Sequence, residues 1–189
     1  VPDQLTVEAM GNDVLAWMDQ HGIARAVVAG YSQGGYLALW LVRHHPARVA
    51  GVFCLATKYI FDVDTVAKWL YLSEVQRLEK LPDNRPVLLA ERHAPQDWQL
   101  VLERNRQMWR DLVANAPLRR DDIAAISVPA LVVSGDADQI VSMRETGELA
   151  KLLRTKALMF RGPAHPIEVV PLGELVEVVH RWLAGLPAS

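Results

Sequence analysis

The sequence has a single cysteine among 189 residues, so an internal disulfide framework is excluded. No stretch approaches the roughly 18 consecutive apolar residues that a membrane-spanning helix needs, and the first residues do not have the pattern of a secretory signal. Runs of Lys or Arg are also absent, because 20 basic residues are interspersed with 22 acidic ones. These absences predict a cytoplasmic protein that binds neither membranes nor nucleic acid.

Hydrophobic residues make up 51% of the chain, which is enough to bury a core. Short apolar runs rich in β-branched residues predict four buried strands at residues 23–29, 49–55, 130–133 and 157–160. Helical spacing of apolar residues predicts helices at residues 7–21, 35–44, 144–153 and 172–183. Strands that alternate with helices predict an α/β fold with a doubly wound, mostly parallel sheet.

Residues 57–122 have a different character, with dense charges and two helical patterns at 63–81 and 96–114. Four prolines interrupt this segment: Pro82, Pro86, Pro95 and Pro117. We interpret it as a helical insertion between two parts of an α/β core, 1–56 and 123–189.

The clearest motif is Gly30-Tyr-Ser-Gln-Gly34, a G-x-S-x-G pattern between a predicted strand and a predicted helix. Gly30 and Gly34 are expected to leave room for a sharp turn that raises Ser32 above the sheet edge. The start of a helix also favours negative charge that develops beside the serine. The alternative is a glycine-rich turn that only packs the helix on the strand. No G-x-G-x-x-G spacing and no cluster of metal ligands is present, so neither a cofactor nor a metal is predicted.

A serine nucleophile needs a neighbouring base, and the sequence offers six histidines. His165 follows the predicted strand 157–160, at the sheet edge where doubly wound folds place their sites. The alternative is a loop histidine held between Pro163 and Pro166. The other five lie at the C-termini of predicted helices, in the last helix or in the insertion: His21, His44, His45, His93 and His180.

Two carboxylates, Asp136 and Asp138, follow the predicted strand 130–133. Either could orient His165 across the loop edge. Residue types and spacing alone leave both open as the acid.

The sequence resembles the α/β-hydrolase family in three motifs that occur in the family's order of nucleophile, acid and histidine. The motifs are Gly30-Tyr-Ser-Gln-Gly34, Gly135-Asp-Ala-Asp138 and Gly162-Pro-Ala-His165. The resemblance implies that Ser32 is the nucleophile and His165 the base. It also implies that Asp138 is the acid, since the family usually takes the fourth position of such a G-x-x-D loop, with Asp136 as the alternative. The backbone N–H of Gln33 would be one oxyanion donor.

The interval between Ser32 and Asp138 is about twice what two strands and one helix need. The surplus coincides with the insertion, which resembles the cap that many members of the family carry. Four aromatic residues are predicted to line an apolar substrate pocket: Tyr31, Trp69, Trp98 and Trp109. For the tryptophans, the alternative is that they only pack the helices of the cap together.

The family's sheet usually has more strands, and its second oxyanion donor comes from an earlier loop that this sequence does not contain. We therefore expect the sequence to be the C-terminal part of a longer protein, whose first strand here has an unpaired edge.

The predicted activity is hydrolysis of a carboxylic ester, thioester or lactone through an acyl-enzyme. A small-molecule substrate is the expected partner, and assembly into a homo-oligomer stays open. The alternatives are carbon–carbon bond hydrolysis, haloperoxidase or acyl-transfer chemistry on the same triad, or a non-catalytic relative that binds an apolar small molecule.

Overall fold

The structure is a computed structural model that describes residues 4–81 and 84–187. Pro82, one of the four prolines that were predicted to interrupt the insertion, lies outside the described residues. Nine α-helices lie within these ranges: α1 (Val7–Gln20), α2 (Gln33–His44), α3 (Val63–Leu72), α4 (Val75–Leu78), α5 (Arg85–His93), α6 (Trp98–Ala114), α7 (Arg120–Ala124), α8 (Met143–Leu152) and α9 (Leu172–Ala184). Four β-strands lie within them: β1 (Ala26–Tyr31), β2 (Val49–Leu55), β3 (Ala130–Gly135) and β4 (Ala157–Phe160).

The chain divides into two compact units. The first, which we call the sheet unit, consists of Met10–Ile60 and Leu118–Ser189. The second, which we call the helical unit, consists of Val1–Ala9 and Phe61–Pro117. The second segment of the helical unit, Phe61–Pro117, is thus shorter at both ends than the predicted insertion of 57–122. The first segment of this unit was not predicted to belong with the insertion.

The four strands of the sheet unit form one parallel sheet in the order β1-β2-β3-β4. Helices flank the sheet, so the predicted α/β class is confirmed. Because all strands run in the same direction, the segments that follow them meet at one edge of the sheet. The motifs that the sequence analysis singled out lie at this edge.

Strands β2 and β4 have the predicted bounds, whereas β1 begins at Ala26 rather than at residue 23. The Arg48 side chain explains the later start. Its guanidinium donates hydrogen bonds to the carbonyl oxygens of Ile23 and Ala24, at 3.0 and 2.8 Å. These carbonyl groups therefore bind a side chain rather than a neighbouring strand.

One face of the sheet carries a buried apolar cluster, which is covered by α9. The cluster consists of Phe53, Leu55, Leu131, Val133 and Phe160. Helix α9 packs on it through side chains at helical spacing: Leu175, Val178, Val179 and Trp182. This packing fixes β2, β3 and β4 and hence the loops that follow them.

Strand β1 differs from its neighbours in burial. Its residues are half-buried and Ala29 is exposed, whereas β3 is buried throughout. Within the described residues, β1 pairs with β2 alone. The sequence analysis expected this unpaired edge.

The helical unit departs from the predicted pattern at two places. The helix predicted over 63–81 ends at Leu72, because the Ser73 hydroxyl donates to the Trp69 carbonyl oxygen at 2.6 Å and a second short helix, α4, follows. Pro86, predicted to interrupt the segment, instead lies in the first turn of α5, where proline is well tolerated. No helix within the two described ranges has the length and apolar character needed to cross a bilayer.

Candidate active site

The turn between β1 and α2 carries Ser32 in an unusual backbone conformation, with φ 53° and ψ −119°. Such a conformation is rare for a residue with a side chain and is typical of a constrained functional turn.

A Cβ atom added at Gly30 would overlap the backbone of Gly34, so glycine is required at position 30. The turn does not require glycine at position 34, contrary to the prediction, because a Cβ there would meet nothing within 4 Å. The crowded position is Gly35, whose added Cβ would overlap the side chain of Thr57.

Backbone hydrogen bonds hold this turn against β2 and the segment that follows it. The Ser32 N–H donates to the Leu55 carbonyl oxygen at 2.9 Å. The Ser32 carbonyl oxygen accepts from the N–H groups of Gly35 and Lys58, at 3.1 and 3.3 Å. Three hydrogen bonds therefore fix the backbone of Ser32.

The structure brings Ser32, His165 and Asp138 together in one hydrogen-bonded chain. The Ser32 Oγ lies 2.9 Å from Nε2 of His165, and Nδ1 of His165 lies 2.8 Å from Oδ2 of Asp138. An ionised carboxylate only accepts hydrogen bonds, so Nδ1 donates and carries the proton. In a neutral imidazole Nε2 then accepts from the serine hydroxyl. The arrangement can therefore take a proton from Ser32.

Asp138 is almost completely buried, with 1% of its side chain exposed. Burial raises the pKa of the Asp138 carboxyl, but hydrogen bonds from His165 and from the backbone N–H groups of Val141 and Ile140 outweigh it and hold the pKa below its usual value. Both N–H groups donate to Oδ1 at 2.8 Å. Asp138 is thus kept ionised while its second oxygen faces the histidine.

Asp136, the alternative acid, makes a different contact. Its Oδ1 accepts from the Gly162 N–H at 2.7 Å, and its own N–H donates to the Phe160 carbonyl oxygen at 2.9 Å. Asp136 therefore connects the end of β3 to the start of the loop that carries His165, whereas Asp138 contacts the imidazole.

Gln33 and Tyr31 flank the serine. Gln33 is the first residue of α2, so its backbone N–H lies at the helix N-terminus beside Ser32. Tyr31 is the last residue of β1, and its hydroxyl donates to the His165 carbonyl oxygen at 2.6 Å. The predicted pocket residue Tyr31 thus binds the protein's own backbone, a contact that no sequence pattern indicated.

The three predicted pocket tryptophans lie in the helical unit and are half-buried. Trp69 on α3 and Trp109 on α6 pack edge to face, with ring centroids 5.5 Å apart. Trp98 is the first residue of α6. The first two therefore hold α3 and α6 together, as the alternative interpretation expected, and the capping role of this unit stays a prediction.

A buried ion pair beside the turn was missed by the sequence analysis. Lys58 Nζ lies 2.7 Å from Oε2 of Glu145, and each side chain is 6% exposed. Glu145 Oε1 also accepts from the N–H groups of Tyr59 and Ile60, at 3.1 and 3.0 Å. A lysine three positions after the end of β2 was the signal, but its partner on α8 is 87 positions away. Across the described ranges, no group of three or more His, Cys, Asp or Glu side chains could hold a metal ion.

Solved structures with the same fold include several hydrolases. A membrane phospholipase A described as a bacterial virulence factor matches with a TM-score of 0.74 and 18% identity, over 96% of this chain and 64% of that chain. The enol-lactonase from Burkholderia xenovorans LB400 matches with a TM-score of 0.70 and 24% identity, over 97% of this chain and 75% of that one. A thermophilic esterase from Thermogutta terrifontis matches with a TM-score of 0.69 and 23% identity, over 97% and 74%.

The chain thus spans about two thirds to three quarters of the length of these three proteins. A family model described as the alpha/beta hydrolase fold matches residues 2–97, which include the turn that carries Ser32. That match covers half of the chain, and the parallel sheet agrees with it. This protein belongs to the alpha/beta hydrolase family.

Proposed function

We propose that this protein is a serine hydrolase that cleaves a carboxylic ester, thioester or lactone through an acyl-enzyme. The observation that carries the proposal is the continuous hydrogen-bonded chain from Ser32 Oγ through the His165 imidazole to the buried Asp138 carboxylate. In this chain an otherwise weak nucleophile has a base within reach, and the base has an acid that fixes its tautomer.

The proposed reaction starts with attack of Ser32 Oγ on the substrate carbonyl carbon, while His165 Nε2 takes the hydroxyl proton. The negative charge that develops on the carbonyl oxygen would be stabilised by the Gln33 N–H at the start of α2. His165 then returns the proton to the leaving alcohol, thiol or lactone oxygen as the bond to the carbonyl carbon breaks. Water, activated by the same imidazole, releases the acyl group and restores Ser32.

The names of the three similar structures described above support this class of substrate. A phospholipase A, an enol-lactonase and an esterase all cleave bonds between an acyl group and oxygen. Their identities of 18 to 24% support the shared fold only, so the acyl group is left to experiment.

The first test is a burst assay with p-nitrophenyl butyrate, together with labelling by a fluorophosphonate and intact-mass measurement. We expect one phosphonate adduct on Ser32 and a burst of p-nitrophenol that Ser32→Ala abolishes. The matched control is Ser127→Ala, since Ser127 is an exposed serine in the loop before β3. Labelling that persists in Ser32→Ala, or no labelling of the folded wild-type protein, would overturn the proposal and favour a non-catalytic, ligand-binding relative.

A further inference from the structure

The loop that carries His165 has little regular structure of its own. It runs from the end of β4 at Phe160 to a short 3-10 turn at Ile167–Val169, and most of its residues are exposed. Ser32 lies 133 positions away in the sequence. Contacts from outside this loop must therefore fix the distance between Nε2 and Oγ.

Tyr31 supplies such a contact. Its hydroxyl donates to the His165 carbonyl oxygen at 2.6 Å. Its ring lies against the imidazole, with centroids 5.3 Å apart and planes inclined by 32°. One side chain therefore touches both the backbone and the ring of the proposed base.

The other end of this contact is also fixed. Tyr31 pairs with Leu55 in the sheet, and its ring packs on the buried apolar cluster beneath α9. Tyr31 is directly bonded to Ser32 along the chain, so the clamp and the nucleophile share one anchored segment. A shift of Tyr31 would move the serine and the histidine together.

We propose that Tyr31 is a positioning residue that clamps His165 over Ser32, rather than a residue that binds substrate. This inference rests on the proposed function, because it assigns a role within the same hydrogen-bonded chain. The hydroxyl has one proton to donate, and the His165 carbonyl oxygen receives it. The clamp acts through the histidine and need not touch the substrate.

The protonation state of Tyr31 suits this role. Burial, followed by the nearby carboxylates of Asp138 and Glu168, raises the pKa of the phenol to about 12. The hydroxyl therefore stays protonated, and remains a donor, throughout the pH range in which esterases are assayed.

The test compares Tyr31→Phe with Tyr36→Phe. Both variants keep the ring and remove a hydroxyl that bonds to backbone, since the Tyr36 hydroxyl accepts from the Leu118 N–H at 3.0 Å. For Tyr31→Phe with p-nitrophenyl butyrate we expect kcat to fall about tenfold with KM within about twofold of wild type, as expected for the loss of one hydrogen bond that aligns the base. The rate of fluorophosphonate labelling at Ser32 should fall by the same factor. Tyr36→Phe should leave kcat and KM unchanged.

A second readout does not depend on activity. Hydrogen exchange of the peptide covering residues 161–170 should be faster in Tyr31→Phe than in wild type and unchanged in Tyr36→Phe. Unchanged exchange overturns the clamp, and so does a rise in KM with kcat unchanged, which would make Tyr31 a substrate-binding residue. If wild-type Ser32 is not labelled, the proposed function fails, and the exchange experiment alone then decides whether Tyr31 holds the loop.

Discussion

The loop that carries Asp138 and the loop that carries His165 are held in opposite ways. Asp138 is bonded by N–H groups of its own loop, from Ile140 and Val141, and its side chain is 1% exposed. His165 is 17% exposed, and its two ring nitrogens and its carbonyl oxygen bond to residues far away in sequence. The proposed acid is thus positioned by its own loop, whereas the proposed base depends on contacts with the rest of the sheet edge.

The largest expected effect comes from removing the negative charge of Asp138, the proposed acid. Asp138→Asn should lower kcat for p-nitrophenyl butyrate by roughly 10³- to 10⁴-fold, because an amide cannot hold the imidazole in the tautomer that accepts the serine proton. Asp136→Asn is the matched control and should lower kcat by less than about tenfold, since Asp136 bonds to Gly162 and not to the imidazole. A larger loss of kcat for Asp136→Asn than for Asp138→Asn would make Asp136 the acid.

The next effect concerns the helix that follows the acid loop. Glu145→Gln removes the charge that neutralises buried Lys58, so the free energy of unfolding should fall by about 3–5 kcal/mol in urea denaturation. Glu148→Gln is the control on the same helix. Its carboxylate pairs with the exposed side chains of Arg120 and Arg144, so its loss should change the free energy of unfolding much less. Similar losses for both variants would contradict the special role of the buried pair.

A smaller effect should come from the histidine loop. Gly162 has φ 94°, a conformation that strains any other residue, although a Cβ there would meet nothing within 4 Å. Gly162→Ala should therefore lower the free energy of unfolding by about 1–2 kcal/mol. Gly173→Ala on α9, where a Cβ also meets nothing and φ is ordinary, should be neutral or slightly stabilising. Equal stability of the two variants in urea denaturation would show that the turn at Gly162 adapts.

The smallest expected effect is a pH dependence of stability from Asp138. The folded state holds the pKa of this carboxyl below its ordinary value of 3.8, so the unfolded chain takes up the proton first as the pH falls. The stability that the ionised carboxylate contributes is therefore fully present above pH 3.8 and is lost below it. Urea denaturation from pH 6 to pH 3 should show that the difference between wild type and Asp138→Asn shrinks in this window. A difference that grows toward pH 3 would mean that the pKa is raised instead.

Local patterns in the sequence were sufficient to predict the four strands, although not all of their bounds. The bounds of β2 and β4 were predicted because each is a short apolar run rich in large hydrophobic residues. The order of motifs along parallel strands also predicted that Ser32, His165 and Asp138 follow strands that share an edge, and the structure brings the three side chains together.

Contacts between distant segments could not be predicted from such patterns. The Tyr31 hydroxyl meets the His165 carbonyl oxygen across 134 positions, and Lys58 meets Glu145 across 87. The sequence predicts Tyr31 as a pocket residue because an aromatic side chain beside the proposed nucleophile is compatible with either role. Pro86 was interpreted as a break because sequence alone does not show that it lies in a first helical turn.

The backbone of Ser32 links stability to chemistry. Its torsion angles are disfavoured for serine but accessible to glycine, and a conformation of this kind costs on the order of 1–3 kcal/mol. A chain with glycine at position 32 should consequently unfold at a higher temperature than the native sequence while lacking the proposed nucleophile. The residue proposed to carry the chemistry would then lie at a position where its own backbone conformation lowers the stability of the fold.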